Sequence, residues 1–212
     1  MSRRQSRRRR TRSISGRPHP EVQAAIVADA RAMYPHHFDT ADYGGCVGFT
    51  ACTIVAAERH GVKLTAVAGS SEWRCVAPEF DPGHGMTHFG YEFEGFKHPA
   101  VMGAIMEGRL PELHCWATDI GRRHVVDVTT CFLIEQSIRT SGGQNRPWTA
   151  AKPPDYLWRK ASKMVRRGDN IYYKADEQAT LFVIANFIAP AIEAIKAGEK
   201  FEPSPLMIIP QM

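Results

Sequence analysis

A cysteine stands at the point where a glycine-rich loop turns into a helix. The stretch DYGGCVGFTACTIVAAERHGVKLTAVAG, residues 42–69, has two glycines directly before Cys46 and then a run of small and apolar residues. The run ends at Gly61, a residue typical of helix C termini, and VKLTAVAG follows as an extended segment. The sequence therefore predicts a loop, a helix from about residue 46 to residue 60, and a strand, with the thiol in the first helical turn.

A thiol in the first turn of a helix is well placed to react. The unpaired backbone N–H groups and the positive end of the helix dipole can lower a thiol pKa from about 8.5 to between roughly 3.5 and 7.5. The preceding glycines leave room for a substrate, and the backbone amide of Cys46 could help to bind an oxyanion. We therefore interpret Cys46 as a candidate nucleophile.

The other four cysteines are interpreted as packing residues. Cys52 shares a helical stripe with Phe49 and Ala56, a pattern typical of a face packed on a core. An odd count of five cysteines without a CxxC pair argues against a disulfide framework and against structural zinc of the finger type. The packing assignment also covers the three remaining cysteines, Cys75, Cys115 and Cys131.

Two histidines four residues apart raise the alternative of a metal site. His84 and His88 lie near Asp81 and Cys75 in the sequence. The proline and glycines among them exclude a helix that would place both imidazoles on one face. Ligation from a loop is left open, but no metal and no cofactor is predicted.

A histidine and an aspartate are candidates for the base and its orienting acid. The segment LHCWATDIGRRHVVDVTT predicts two strands around a tight turn. A turn formed by residues 119–122 pairs Thr118 with Arg123. The same register places His114 directly opposite Asp127, on one face and close enough for a hydrogen bond. Together with Cys46, these two residues would complete a triad of nucleophile, base and acid.

Two further residues of this hairpin are assigned by the alternation of side chains along a strand. Trp116 lies on the same face as His114, and we name Trp116 as a candidate substrate-binding residue. His124 is three residues from Asp127 on the same strand and therefore points to the opposite face. His124 is a poor candidate for the base.

The charge distribution divides the chain into unequal parts. Residues 1–17 contain eight of the 27 basic residues and no acidic residue, which leaves 19 basic and 22 acidic residues elsewhere. Such a segment predicts a disordered arm that could contact nucleic acid weakly and without sequence preference. We place the catalytic domain at residues 18–140, and a linker with a C-terminal helical extension at residues 141–212.

The sequence also predicts the remaining helices and the cellular location of the protein. Helices are expected at residues 20–33, 100–107 and 176–197, with Pro190 kinking or dividing the last one. No export signal follows the arginines, and no apolar run approaches the roughly 20 residues of a membrane helix. We therefore expect a cytoplasmic protein that does not contact a membrane, and we leave its oligomeric state open.

These residues resemble the transglutaminase-like superfamily of papain-fold thiol enzymes. The stretch from the diglycine to Gly69 is similar to the cysteine block of that family, and His114, Trp116, Asp127 and Thr129 are similar to its His-x-Trp and Asp-x-Thr strands. The resemblance implies an α+β fold of the papain-like type, in which a helix bearing Cys46 packs on an antiparallel sheet bearing His114 and Asp127.

The resemblance also implies a reaction. Cys46 would attack a carbonyl carbon, His114 would relay the proton, and Asp127 would fix the imidazole. The expected function is cysteine-dependent acyl chemistry on a peptide, a protein or a small amide. We favour hydrolysis by a peptidase, amidase or deamidase, because water is always present and no amine-binding pocket is recognisable in the sequence.

Two alternatives belong to other functional classes. The first is acyl transfer, by a transglutaminase or by an acyl-CoA-dependent enzyme similar to the arylamine N-acetyltransferases, although Tyr43 replaces the arginine that normally precedes the diglycine there. The second is a module without catalytic activity that binds nucleic acid or another partner through the basic arm.

Overall fold

The structure is a computed structural model of the 212-residue chain, and it describes residues 17–34, 45–77, 88–140, 148–166 and 170–199. The described part is α+β, as predicted. Its helices are α1 (Pro20–Met33), α2 (Gly45–Arg59), α3 (Pro99–Met106), α4 (Leu133–Thr140) and α5 (Glu177–Ala197). Its strands are β1 (Leu64–Arg74), β2 (His88–Tyr91), β3 (His114–Asp119), β4 (His124–Asp127), β5 (Leu157–Lys160) and β6 (Ile171–Asp176). The expected disordered arm lies outside the described residues, apart from Arg17.

The sequence signals place the first three helices correctly. Helix α1 begins at Pro20, whose fixed φ suits a first helical turn, and α2 ends just before Gly61, which has a φ of 72°. Helix α3 begins one residue before the predicted start. Cys46 is therefore the second residue of α2, in its first turn as expected.

Strand β1 is the centre of a six-stranded antiparallel sheet. Strands β2 and β3 lie end to end along one edge of β1, because Ser71 pairs with Tyr91 and Gly69 pairs with His114. Strand β6 occupies the opposite edge of β1, and β4 and β5 extend the sheet beyond β3. Tyr91 and His114 are therefore neighbours in space, although they belong to different strands.

The C-terminal part of the chain completes this sheet. In the region expected to be a linker and a helical extension, residues 157–160 pair with β4 and residues 171–176 pair with β1. Strand β6 approaches β1 so closely that a Cβ atom on Gly69 would collide with the backbone carbonyl of Lys174. A glycine is therefore required at position 69 for β6 to dock.

Helix α5 is interrupted near Pro190, as predicted. A π-helical segment, Ile184–Ile188, directly precedes the turn that contains Pro190, which has no N–H to donate to the preceding turn. The helix starts at a well-formed cap, because the Asp176 carboxylate accepts a hydrogen bond from the Ala179 N–H at 2.8 Å.

Helix α5 also contradicts one expectation from the sequence, which concerns the length of apolar runs. With 21 residues, Glu177–Ala197 is long and apolar enough to cross a membrane, and 28% of its most apolar window is buried. The expectation that no apolar run reaches this length is therefore wrong for α5. Length and composition are shared by membrane spans and by core helices, so the absence of a membrane contact stays a prediction.

The two faces of the sheet have different surroundings. On one face, small residues of β1 and β3 allow helix α2 to pack closely, and Ala66, Ala68 and Cys115 lie in a cluster with Val47 and Ala51. The other face carries large aromatic side chains, which pack with Val67, Val125 and Leu157; they are Trp73, Phe89, Trp116 and Tyr173. His114 belongs to this aromatic face, at the first position of β3.

Candidate active site

The structure brings His114 and Asp127 into contact, but by a different register from the predicted one. Thr118 pairs with Val125, two residues beyond the expected partner, because the turn comprises residues 120–123. The Asp119 carboxylate closes this turn by accepting from the backbone N–H groups that follow it. The prediction that His114 lies directly opposite Asp127 is therefore wrong. A shift of two residues keeps side chains on the same face, so Asp127 still reaches His114 diagonally.

The contact between the two side chains is short and buried. His114 Nε2 lies 2.7 Å from Asp127 Oδ2, and the side chains are 4% and 2% exposed. Since this pair is almost fully buried, the attraction between the carboxylate and a protonated imidazole is much stronger than it would be at the surface. The pair is the electrostatic centre of the site.

Four hydrogen bonds hold the Asp127 carboxylate. Besides His114 at Oδ2, the Tyr173 hydroxyl donates to Oδ2 at 2.6 Å, and Thr129 donates to Oδ1 from its backbone N–H at 2.8 Å and from its hydroxyl at 2.7 Å. Burial alone would raise the pKa of Asp127, but the charge of His114 and these hydrogen bonds outweigh it and lower that pKa. Asp127 is therefore a carboxylate with a fixed orientation.

The imidazole of His114 is held between aromatic rings. The ring of Tyr91 stacks on it at a centroid distance of 5.4 Å and an interplanar angle of 10°, and the ring of Trp116 stacks at 6.0 Å and 27°. Burial would lower the pKa of His114, but the Asp127 carboxylate and the nearby Cys46 side chain raise it above its ordinary value. The ring is thus both oriented and kept prone to protonation.

Cys46 lies near the imidazole of His114. Cys46 is half-buried in the first turn of α2, and its proximity contributes to the raised pKa of His114. Nε2 is bound to Asp127, and Nδ1 is buried and has no hydrogen-bond partner in the described part of the chain, so Nδ1 is the nitrogen left for this thiol. Cys46 thus lies near the contact between His114 and Asp127, and the catalytic roles of the three residues stay a prediction.

The other four cysteines occupy the positions expected of packing residues, although Cys131 is less buried than the rest. Cys52, Cys75 and Cys115 are buried, and Cys131 is half-buried. Burial raises the pKa of Cys52 to about 12 and that of Cys131 to about 11, against smaller opposing contributions from nearby arginines. Neither thiol is prepared for reaction at neutral pH.

The remaining candidates have different outcomes. Trp116 is only 3% exposed and contacts His114 and Tyr173, so its binding of substrate stays a prediction. His124 lies beside Asp119 on the opposite face from Asp127, as expected of a residue outside the triad. The described residues contain no cluster of three metal-binding side chains, and His84 and Asp81 lie outside the described residues.

Two contacts of the site were missed by reading the sequence. Tyr173 lies 46 residues after Asp127, in the predicted C-terminal extension, and Tyr91 lies in a region for which the sequence predicts no strand. The pattern NIYY at residues 170–173, with two aromatic residues in a row that is typical of a strand, was the available signal for β6.

Comparison with known proteins does not assign this chain to a family. No protein-family model matches the chain, and no curated protein matches it. A solved structure described as a genomics target is similar at 12% identity and a TM-score of 0.44, with 89% of this chain and 83% of that chain covered. Such a likeness is too distant to carry an argument about activity.

Proposed function

We propose that this protein is a cysteine-dependent enzyme that breaks amide bonds, with a papain-like arrangement of helix and sheet. The observation that carries the proposal is the use of the two imidazole nitrogens of His114. Nε2 is bound to the carboxylate of Asp127, and Nδ1 is left to the thiol of Cys46. A nucleophile, a base and an orienting acid arranged in this way are the components of thiol-dependent acyl chemistry.

The proposed reaction has two halves. In the first, His114 is protonated and holds at Nδ1 the proton of the Cys46 thiol, and the sulfur attacks the carbonyl carbon of the substrate amide. The negative charge on the carbonyl oxygen is stabilised by N–H groups at the start of α2. The amine then leaves with the proton of His114, and a thioester with Cys46 remains. In the second half, water gives a proton to His114 and attacks the thioester, which releases the acid and restores the thiol.

Asp127 remains ionised throughout this sequence. Its four hydrogen bonds fix both oxygens, so it holds the imidazole in the tautomer and the orientation that present Nδ1 to the thiol. The rings of Tyr91 and Trp116 restrict rotation of the imidazole and exclude water from the bond between His114 and Asp127. This support favours a working triad over an incidental buried ion pair.

Hydrolysis and acyl transfer share the thioester and differ only in the group that resolves it. We propose hydrolysis, because water needs no binding site of its own. Transfer to an amine or from an acyl-CoA, and a binding role for the basic arm, are separate outcomes of the test below.

The test compares the reactivity of two cysteines that are similarly accessible. Iodoacetamide is added at neutral pH, and labelling of each cysteine is followed by peptide mass spectrometry. We expect Cys46 to react much faster than Cys131, which is also half-buried. Removal of the base in His114→Ala should slow labelling of Cys46 by roughly 100-fold or more. Cys131→Ala is the matched control and should leave labelling of Cys46 unchanged.

A second measurement identifies the reaction. An amide-directed thiol probe and a set of peptide amides are incubated with the wild type, Cys46→Ala and Asp127→Asn, with and without an added primary amine. Release of free acid that depends on Cys46 supports hydrolysis, whereas capture of the acyl group by the amine supports transfer. Equal labelling of Cys46 and Cys131, with no difference between variants, would contradict an enzymatic role and would favour the binding module.

A further inference from the structure

Tyr173 is a buried, hydrogen-bonded side chain beside the triad that the proposed reaction does not use. It is 5% exposed, and its hydroxyl donates to Asp127 Oδ2 at 2.6 Å, the oxygen that also binds His114. The indole N–H of Trp73 donates to the same hydroxyl at 3.2 Å. Trp73, Tyr173, Asp127 and His114 therefore form one continuous chain of hydrogen bonds.

The direction of this chain follows from its donors. An indole N–H can only donate, so the Tyr173 oxygen is the acceptor from Trp73. The single hydroxyl proton of Tyr173 is then left for Asp127, which is ionised and can only accept. Burial and the Asp127 charge raise the pKa of Tyr173, so the phenol keeps this proton.

The aromatic face of the sheet holds the phenol in place. The ring of Tyr173 makes edge-to-face contacts with Trp116 at 5.1 Å and with Trp73 at 6.1 Å. Its backbone is fixed by pairing with Ser71 of β1. A tyrosine with so little freedom can define the position of the oxygen to which it donates.

We propose that Tyr173 is a positioning residue of the active site, which fixes Asp127 Oδ2 and keeps this carboxyl group ionised, so that His114 is held for reaction with Cys46. The role rests on the proposed function for its consequence in catalysis. Tyr173 acts on the reaction only through Asp127 and His114.

The test uses two neighbouring tyrosines of β6. Tyr173→Phe removes the hydroxyl and keeps the ring. Tyr172→Phe is the matched control, because Tyr172 is also buried but alternates to the opposite face of the strand. The full-length protein is labelled with ¹⁵N-histidine, and the His114 ring resonances, assigned with His114→Gln, are followed by NMR as the pH is lowered.

The expected result is a change in the acidic pH at which the bond between His114 and Asp127 is lost. In Tyr173→Phe the carboxylate loses one donor, so the pH at which the His114 ring loses its bond to Asp127 should rise by roughly one unit. The acid limb of Cys46 alkylation should move in the same direction. Tyr172→Phe should behave as the wild type in both measurements. An unchanged midpoint in Tyr173→Phe, or an equal change in Tyr172→Phe, would overturn the proposal.

A second variant covers the case in which Tyr173→Phe fails to fold, since it leaves the Trp73 N–H without its acceptor. Replacement of Tyr173 by 3-fluorotyrosine keeps the hydroxyl and makes it a stronger donor. The same midpoint should then move to lower pH, and a midpoint that does not move would contradict the role. The NMR result does not depend on activity, so loss of the proposed enzyme function alone would leave the positioning of His114 measurable.

Discussion

Two histidine–aspartate pairs in this molecule have the same separation and different surroundings. His114 Nε2 and Asp127 Oδ2 are 2.7 Å apart, and so are His60 Nε2 and Asp29 Oδ2. The side chains of the first pair are 4% and 2% exposed, whereas those of the second pair are 31% and 46% exposed. Distance alone would rank the two pairs as equal.

The difference lies in what else the carboxylate contacts. Asp127 is held by Thr129 and Tyr173 in addition to its histidine, and all these groups are buried. The pair of His60 and Asp29 links the end of α2 to α1 at the partly exposed surface. Solvent and ions compete with such a pair, so its contribution to stability is small. The two pairs therefore differ in burial and in the further hydrogen bonds to the carboxylate, although their separations are equal.

The largest expected effect is the loss of the buried carboxylate. Asp127→Asn removes the charge that compensates a buried imidazolium and should lower the free energy of unfolding by about 3 to 5 kcal/mol. Asp29→Asn, its matched control in the other pair, should cost less than about 1 kcal/mol. Urea unfolding at pH 7 measures both values. Similar losses in the two variants would mean that burial does not distinguish the pairs.

A smaller effect is expected in the pH dependence of stability. The pKa of His114 is raised from 6.5 to about 10 in the folded protein, so between these values the folded chain holds a proton that the unfolded chain lacks. The contribution of His114 to stability should therefore be full below pH 6.5 and should fall as the pH rises towards 10, with a slope of up to about 1.4 kcal/mol per pH unit.

At acid pH the dependence of stability on pH has the opposite sign. The lowered pKa of Asp127 contributes stability above the ordinary carboxyl range, and this contribution is lost as the pH falls through the lowered value. Urea unfolding across the pH range tests both limbs. Asp127→Asn should flatten the alkaline slope, and Asp29→Asn should retain it. A slope that survives in Asp127→Asn would show that another group is responsible.

The smallest expected effect is that of salt. Raising NaCl from 0.1 to 1 M shortens the screening length from about 10 to about 3 Å. The loss caused by Asp29→Asn should shrink by a few tenths of a kcal/mol, because that pair is exposed to ions. The loss caused by Asp127→Asn should stay constant. Equal salt sensitivity of the two losses would place ions within reach of the buried pair.

Part of the site could be predicted because it depends on local sequence pattern and on the alternation of side chains between the two faces of a strand. The glycines around α2 fix the position of Cys46, and the two-residue alternation of a strand fixes the face of His114 and Asp127. The turn was misjudged by two residues in register, because the capping role of the Asp119 carboxylate cannot be read from turn length alone. An error of one residue would have separated the pair, whereas an error of two did not.

The rest of the site depends on contacts between distant segments. Tyr173 reaches Asp127 because β6 pairs with the edge of β1 opposite β3, and no local signal states which edge a strand will join. Tyr91 reaches His114 because β2 continues the edge along which β3 runs. The sequence can suggest that such segments are strands, but the choice of partner is made by the packing of the whole sheet.

The place of β6 in the chain has a consequence for protein synthesis. Cys46, His114 and Asp127 are synthesised before residues 171–176, so a nascent chain contains these three side chains while one edge of β1 is still unpaired. Asp127 gains its phenol donor only when the C-terminal strand docks. Translation order thus places the closing of this sheet edge, and with it the phenol contact of Asp127, after the synthesis of the other side chains of the site.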